Sequence, residues 1–171
     1  MELKEMIRSI PDYPEKGVIF RDITTLLKDG EGFQKAIDEL TDLVRDWEPD
    51  VIVGMEARGF IVGAPVAYAL GCGFVPVRKP GKLPYDKYTE SYELEYGTDS
   101  LEIHKDGIEK GQKVVIIDDL LATGGTSKAT ISMVEKSGGK VMGLGFLIEL
   151  NGLKGREEIQ EYDVKSIIKY D

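Results

Sequence analysis

Apolar and polar positions along the chain change period several times, and each change predicts an element. Residues 2–9 read as a short helix, and Ile10 to Phe20, broken by Pro11, Pro14 and Gly17, as an irregular segment. Phe33, Ile37, Leu40, Val44 and Trp47 keep helical spacing, which predicts a helix from Phe33 to Trp47 closed off by Pro49. Val51-Ile52-Val53 reads as a short buried strand. Gly59 to Leu70, apolar on most faces, reads as a helix with a kink at Pro65. Phe74 to Val77 and Val114 to Ile117 are further strands, and a helix is expected from Ser127 to Ser137. Val141 to Leu150 and Val164 to Ile168 complete the pattern. Strands alternating with helices predict right-handed crossovers, hence an α/β fold with a mainly parallel central sheet flanked by helices.

Between Lys79 and Gly111 the alternation breaks. Tyr92, Leu94 and Tyr96 have period two, as do Leu101 and Ile103, with Gly97-Thr98-Asp99 between them. That pattern predicts an antiparallel hairpin. The preceding stretch, Pro80 to Ser91, reads as a long polar loop, and a long loop beside a hairpin is often a lid.

A length of 171 residues suggests one domain over 1–171, and 42% hydrophobic content is enough for a core. No apolar run approaches the ~18 residues a membrane helix needs. Met1-Glu2-Leu3-Lys4-Glu5 holds no apolar signal region, so the expectation is a cytoplasmic protein with no membrane partner. The single cysteine, Cys72, makes no internal disulfide and is expected to be a small core filler. A net charge of −9 argues against nucleic-acid binding through bulk electrostatics. Within that acidic chain Arg78, Lys79 and Lys82 form a basic strip, which suits either an anionic small molecule or a solvated loop.

The densest chemistry is in Val114 to Thr126. The apolar strand is expected to end at Asp118-Asp119, and a Thr123-Gly124-Gly125-Thr126 turn leads into a helix. Glycines let successive backbone N–H groups converge on an anion, and a helix N-terminus adds positive partial charge. The threonine hydroxyls donate to the same oxygens. With the chain turning after the strand, both carboxylates would reach a ribose diol. These are parts for holding a sugar phosphate.

Other motifs are less specific. Gly54 to Gly59 has phosphate-loop glycine spacing, but Phe60 and Ile61 follow where Lys and Ser/Thr would be needed, so it fits equally a structural turn or a site with Arg58 beside it. Gly143-Leu144-Gly145 lacks the third glycine of a dinucleotide fingerprint. His104, the only histidine, falls on the polar side of the hairpin and is expected at the surface. Glu93 and Glu95 suit a charge-protected edge strand, or an acid/base group delivered by a lid.

The block Val115 to Thr126 resembles the 5-phosphoribosyl 1-diphosphate (PRPP) motif of type I phosphoribosyltransferases. Gly17 to Thr24, Glu56 to Phe60, Arg78 to Pro84, Leu94 to Gly97 and Glu149 to Gly155 extend the likeness to the adenine phosphoribosyltransferase family, in family order over nearly the whole chain. That resemblance implies the type I phosphoribosyltransferase fold, with a small N-terminal hood over about 1–30 and a lid loop and hairpin over about 79–105. It implies purine salvage: adenine and PRPP as substrates, AMP and pyrophosphate as products, in a homodimer. It implies Mg²⁺ as cofactor, with no direct side-chain ligand and with Asp118 and Asp119 reaching it through water.

The same resemblance implies the site residues. Asp118 and Asp119 would bind the ribose hydroxyls, and Ala122, Thr123, Gly124, Gly125 and Thr126 the 5′-phosphate. Arg58, with Glu56, Ala57 and Gly59 in its turn, would take part of the pyrophosphate. Arg78, Lys79 and Lys82 would neutralise more of it, in their own subunit or across a dimer interface. Phe20 and Leu150 would sandwich the purine while the backbone of Val18 and Arg21 reads its edge. Glu95 would be the acid/base and Tyr96 would help cover the ring. Two alternatives stay open: a transferase for xanthine or hypoxanthine, and a PRPP-sensing regulator, for which the stretch before Pro11 is too short and too acidic to add a DNA-binding segment.

Overall fold

The computed structural model describes residues 2–94 and 97–171, and the chain divides into two compact units, Met1–Glu39 and Leu40–Asp171. In the first unit a 3₁₀ turn (Leu3–Met6) precedes strand β1 (Arg8–Pro11). This pairs antiparallel with β2 (Ile19–Asp22), with Arg8 opposite Asp22. The expected helix over 2–9 is thus one turn followed by a strand, and the irregular segment is the connection and return strand of a ribbon. Asp22 is the organising residue. Its carboxylate accepts from the Thr24 hydroxyl (2.7 Å), the Thr24 N–H (2.9 Å) and Arg8 Nη2 (2.6 Å). These contacts hold its pKa down at about 2, the Thr24 bonds contributing most. Short helix α1 (Thr24–Leu27) follows, and α2 (Gly30–Arg45) runs on into the second unit.

The second unit is built on a five-stranded parallel sheet of order β4-β3-β7-β8-β9. Its strands are β3 (Val51–Met55), β4 (Gly73–Val77), β7 (Lys113–Leu121), β8 (Lys140–Leu150) and β9 (Val164–Tyr170). Val51, Val53, Val114, Ile116, Leu144 and Phe146 form one core with Ala129 and Met133 of helix α4 (Gly125–Lys136). Helix α3 (Arg58–Leu70) runs through Pro65 and packs on β3 and β7, where Gly63 lies over Ile52 and Gly54. Gly143 and Gly145 are explained by packing: a Cβ at Gly143 would enter the Trp47 indole, and one at Gly145 would stand 2.8 Å from Val44.

The hairpin pairs β5 (Lys87–Glu93) with β6 (Thr98–His104) in unbroken register. The last part of the expected polar loop, Lys87 to Ser91, is therefore strand, and Thr98 and Asp99 lie in a strand rather than a turn. Tyr88, Glu90 and Tyr92 alternate onto the face toward α4, where Glu90 accepts from the Ser132 hydroxyl (2.8 Å) and from the Lys136 ammonium. His104 is partly covered, with its Nε2 enclosed and its ring edge-on to Tyr85 at 6.3 Å, rather than lying at the open surface. Cys72 is half-buried just past the end of α3 rather than a core filler, and burial pushes its thiol pKa up. Among the described residues no helix is long and apolar enough to cross a membrane.

Candidate active site

Among the described residues, the candidates of the second unit gather at and just past the carboxyl ends of β3, β4, β7 and β8, where parallel sheets place their ligands. The largest difference from expectation is at β7. It does not end before the acids: Asp118 pairs with Phe146, Leu120 with Ile148 and Leu121 with Glu149. Asp118 is half-buried and Asp119 buried, and both border the first turn of α3. Asp118 Oδ1 accepts the Asp119 N–H at 2.9 Å. Burial, with the Asp119 carboxylate next to it, drives the Asp118 pKa well above the ordinary range. Asp119 faces Arg58, whose Nε stands 2.9 Å from Oδ2. Gly59 follows Arg58 because a Cβ there would come 2.8 Å from Asp118 Oδ1.

Past Leu121 the chain leaves the sheet and turns at Gly124, whose φ of +88° is a conformation glycine adopts without strain. The Gly124 carbonyl accepts the Lys128 N–H (2.9 Å), which starts α4. The turn from Ala122 to Thr126 and the hairpin residues Tyr92, Glu93 and Leu94 line a cavity of about 220 Å³. A second cavity of about 530 Å³ adjoins it between β5 and α4, with Thr123, Lys128 and Ser132 in its wall.

The turn after β3 carries a cis Glu56–Ala57 peptide, with Ala57 capping α3. Glu56 gathers part of the basic strip. Its carboxylate accepts from Lys82 Nζ (2.8 Å), the Lys79 N–H (2.8 Å) and Arg78 Nε (3.2 Å). Burial opposes its ionisation, but these donors together hold its pKa below the usual value. Arg78 also lies 5.9 Å over the Phe60 ring. The strip is not one cluster, however. The Lys79 side chain turns to the hairpin, donating to Asp99 (2.6 Å) and the Tyr92 hydroxyl (2.8 Å). Buried Glu102 fastens the hairpin to the same loop, accepting from Thr89 (2.7 Å) and the Gly81 N–H (3.0 Å). Sequence reasoning missed Asp99, Tyr92 and Glu102, because only the strand register brings them to the loop.

Leu150 ends β8 opposite Tyr170. Val18 is exposed before β2. Phe20 lies in β2 with its ring edge-on to Tyr13 at 5.2 Å, and Arg21 Nη1 donates to Ser9 at 2.6 Å. Glu95 and Tyr96 lie outside the described residues.

Comparison with known proteins gives the family. A family profile described as "Phosphoribosyl transferase domain" matches residues 22–171. An adenine phosphoribosyltransferase of Alkaliphilus oremlandii is 60% identical over 171 residues, covering 100% of this chain and 99% of that protein. The crystal structure of adenine phosphoribosyltransferase from Thermoanaerobacter pseudethanolicus superposes with a TM-score of 0.96 at 55% identity, covering 98% of both chains. The Saccharomyces cerevisiae enzyme, complexed with adenine and D-2,5-dideoxy-2,5-imino-altritol 1,6-bisphosphate, gives a TM-score of 0.89 at 40% identity over 95% of this chain and 94% of that one. With its parallel sheet, glycine turn and paired acids, and with relatives matched end to end, the chain belongs to the adenine phosphoribosyltransferase family of type I phosphoribosyltransferases.

Proposed function

We propose that this chain transfers the 5-phosphoribosyl group of PRPP to adenine, giving AMP and pyrophosphate in purine salvage. The observation that carries the reading is the run at the end of β7: Asp118 and Asp119, Arg58 on Asp119, then the glycine turn that opens α4. The backbone N–H groups and hydroxyls from Ala122 to Thr126 take the 5′-phosphate. Asp118 and Asp119 accept from the ribose hydroxyls. Phe20 offers a ring for stacking, Leu150 an apolar side chain, and Val18 and Arg21 backbone groups for the purine edge.

In the reaction a purine nitrogen attacks C1′ as the C1′–O bond to pyrophosphate breaks, and the leaving group departs with the bonding electrons. Arg58 stabilises the charge that develops there. Arg78 and Lys82 stand on Glu56, so pyrophosphate competes with a carboxylate that holds them. Glu95 takes the proton released by the attacking nitrogen, and Tyr96 helps cover the ring. The sugar passes through an oxocarbenium-like state that water would trap, so the hairpin beside the cradle has a protective role.

Mg²⁺ fits this donor set. Asp118 and Asp119 are hard oxygen donors, the kind Mg²⁺ takes. Asp118 and Asp119 would hold the ion through water, and when bound it supplies neutralisation of the pyrophosphate.

The proposed assembly is a homodimer. The outer face of α3 leaves Ile61 at 41% and Tyr68 at 89% exposure, with Ala64 and Ala69 beside them, an apolar stripe suited to a second copy of itself. Sedimentation of Tyr68→Asp tests this: monomers support it, and an unchanged dimer places the interface elsewhere. A reducing cytoplasm accords with the lone, unbridged cysteine. For the reaction itself, pyrophosphate release is compared across adenine, hypoxanthine, guanine and xanthine. Adenine turns over fastest on this reading; preference for another purine overturns it.

A further inference from the structure

One ion pair has no part in the reading above. Glu149, only 4% exposed near the end of β8, accepts from Arg156 Nη2 at 2.7 Å and Nε at 3.0 Å. The Ser166 hydroxyl donates to Glu149 at 2.6 Å, and Arg156 Nη1 donates to the Val164 carbonyl at 2.7 Å. The hydrogen bond from Arg156 leads the contacts that hold the Glu149 pKa down. This clamp fixes the segment between β8 and β9, whose own helical turn, Gly155–Glu158, is too short to be stable alone.

What the segment touches is the phosphate turn. A Cβ at Gly124 would come 2.7 Å from the Gly155 carbonyl oxygen and 3.0 Å from Glu158 Cβ. A Cβ at Gly155 would run into the Ala122 carbonyl. Two glycines are therefore interlocked, one in the turn and one beside the clamped arginine. Glu149 pairs in register with Leu121, the last strand residue before the turn, so the clamp sits level with its start. Lys128 to Glu158, at 3.6 Å, makes a second and weaker tie across the same seam.

We infer that Arg156, held by Glu149, is a positioning residue for the 5′-phosphate: its guanidinium locks Gly155 against Gly124 and so fixes the backbone N–H groups of the turn. The inference rests on reading Ala122 to Thr126 as the phosphate cradle. Bidentate geometry is the reason arginine is needed, since a lysine keeps the charge but cannot bridge both carboxylate oxygens and the Val164 carbonyl together.

The test uses the full chain and two conservative variants, Arg156→Lys and Glu149→Gln. Calorimetry measures the Kd of ribose 5-phosphate, and steady-state kinetics the KM for PRPP. In both variants the Kd and that KM rise about ten- to a hundredfold, because a small displacement of a binding backbone is costly. The kcat at saturating PRPP changes by less than about threefold. A merely structural pair would lower the melting temperature and leave KM unmoved. Wild-type Kd and KM in Arg156→Lys, at whatever melting temperature, overturn the inference. Failure of the wild-type chain itself to take ribose 5-phosphate overturns the reading of the cradle instead.

Discussion

Arg58 Nε lies 2.9 Å from Asp119 Oδ2, joining the first residue of α3 to the end of β7. The carboxylate is buried and the arginine side chain is 44% exposed, so the pair orients the guanidinium more than it stabilises the fold. Arg58→Ala is expected to lower kcat/KM for PRPP about 10²-fold, the usual loss when one donor to a developing anion is removed. Thermal unfolding is expected to move little. Steady-state kinetics with calorimetric scanning checks both, and unaltered kcat/KM would take Arg58 out of the pyrophosphate site.

Glu95 is assigned to the purine proton by family resemblance. Glu95→Gln keeps the size and loses the base, so turnover is expected to fall by about 10²–10⁴-fold with substrate affinity nearly unchanged. Single-turnover AMP formation separates the two effects. Retained turnover would remove Glu95 from the proton transfer.

Asp22 gives the first unit a defined acid sensitivity. Its pKa is held at about 2 against an ordinary 3.8, so the unfolded chain takes up the proton first as pH falls. The stabilisation is complete above about pH 5 and drains away as the pH falls through 3.8 towards 2, and it amounts to about 1–2 kcal/mol once the exposure of Arg8 is allowed for. Urea unfolding of wild type and Asp22→Asn should differ by that amount at pH 6 and converge near pH 2. A pH-independent difference would remove the ionised carboxylate from the explanation.

Much of the architecture was legible from the chain because buried parallel strands are nearly continuous β-branched runs. Val51 to Val53 and Val114 to Ile117 are read correctly for that reason. The same logic stopped β7 too early. Acids do not look like strand, yet β8 continues alongside and Leu120 and Leu121 follow, so the ladder carries Asp118 and Asp119 through. Lys87 to Ser91 looked like loop because Glu90 interrupts its inward face, and that carboxylate is satisfied by Ser132 and Lys136, 42 and 46 residues away. β1 and β2 were hidden by the prolines and Gly17 in the ribbon that joins them. At the site, residue types were readable and partnerships were not. Lys79 pointed to an anion in sequence, whereas the hairpin register gives it Asp99 and Tyr92.

The account stands on the cradle at the end of β7, and calorimetry of PRPP with Mg²⁺ on wild type and on the Asp118→Asn/Asp119→Asn double variant tests it most directly. PRPP is expected to bind the wild-type chain at one site per subunit. Its binding to the variant should be weaker by about ten- to a thousandfold, as befits two lost charge-assisted hydrogen bonds, while circular dichroism stays native. Equal binding by the two folded proteins, or no binding by the wild type, would contradict it.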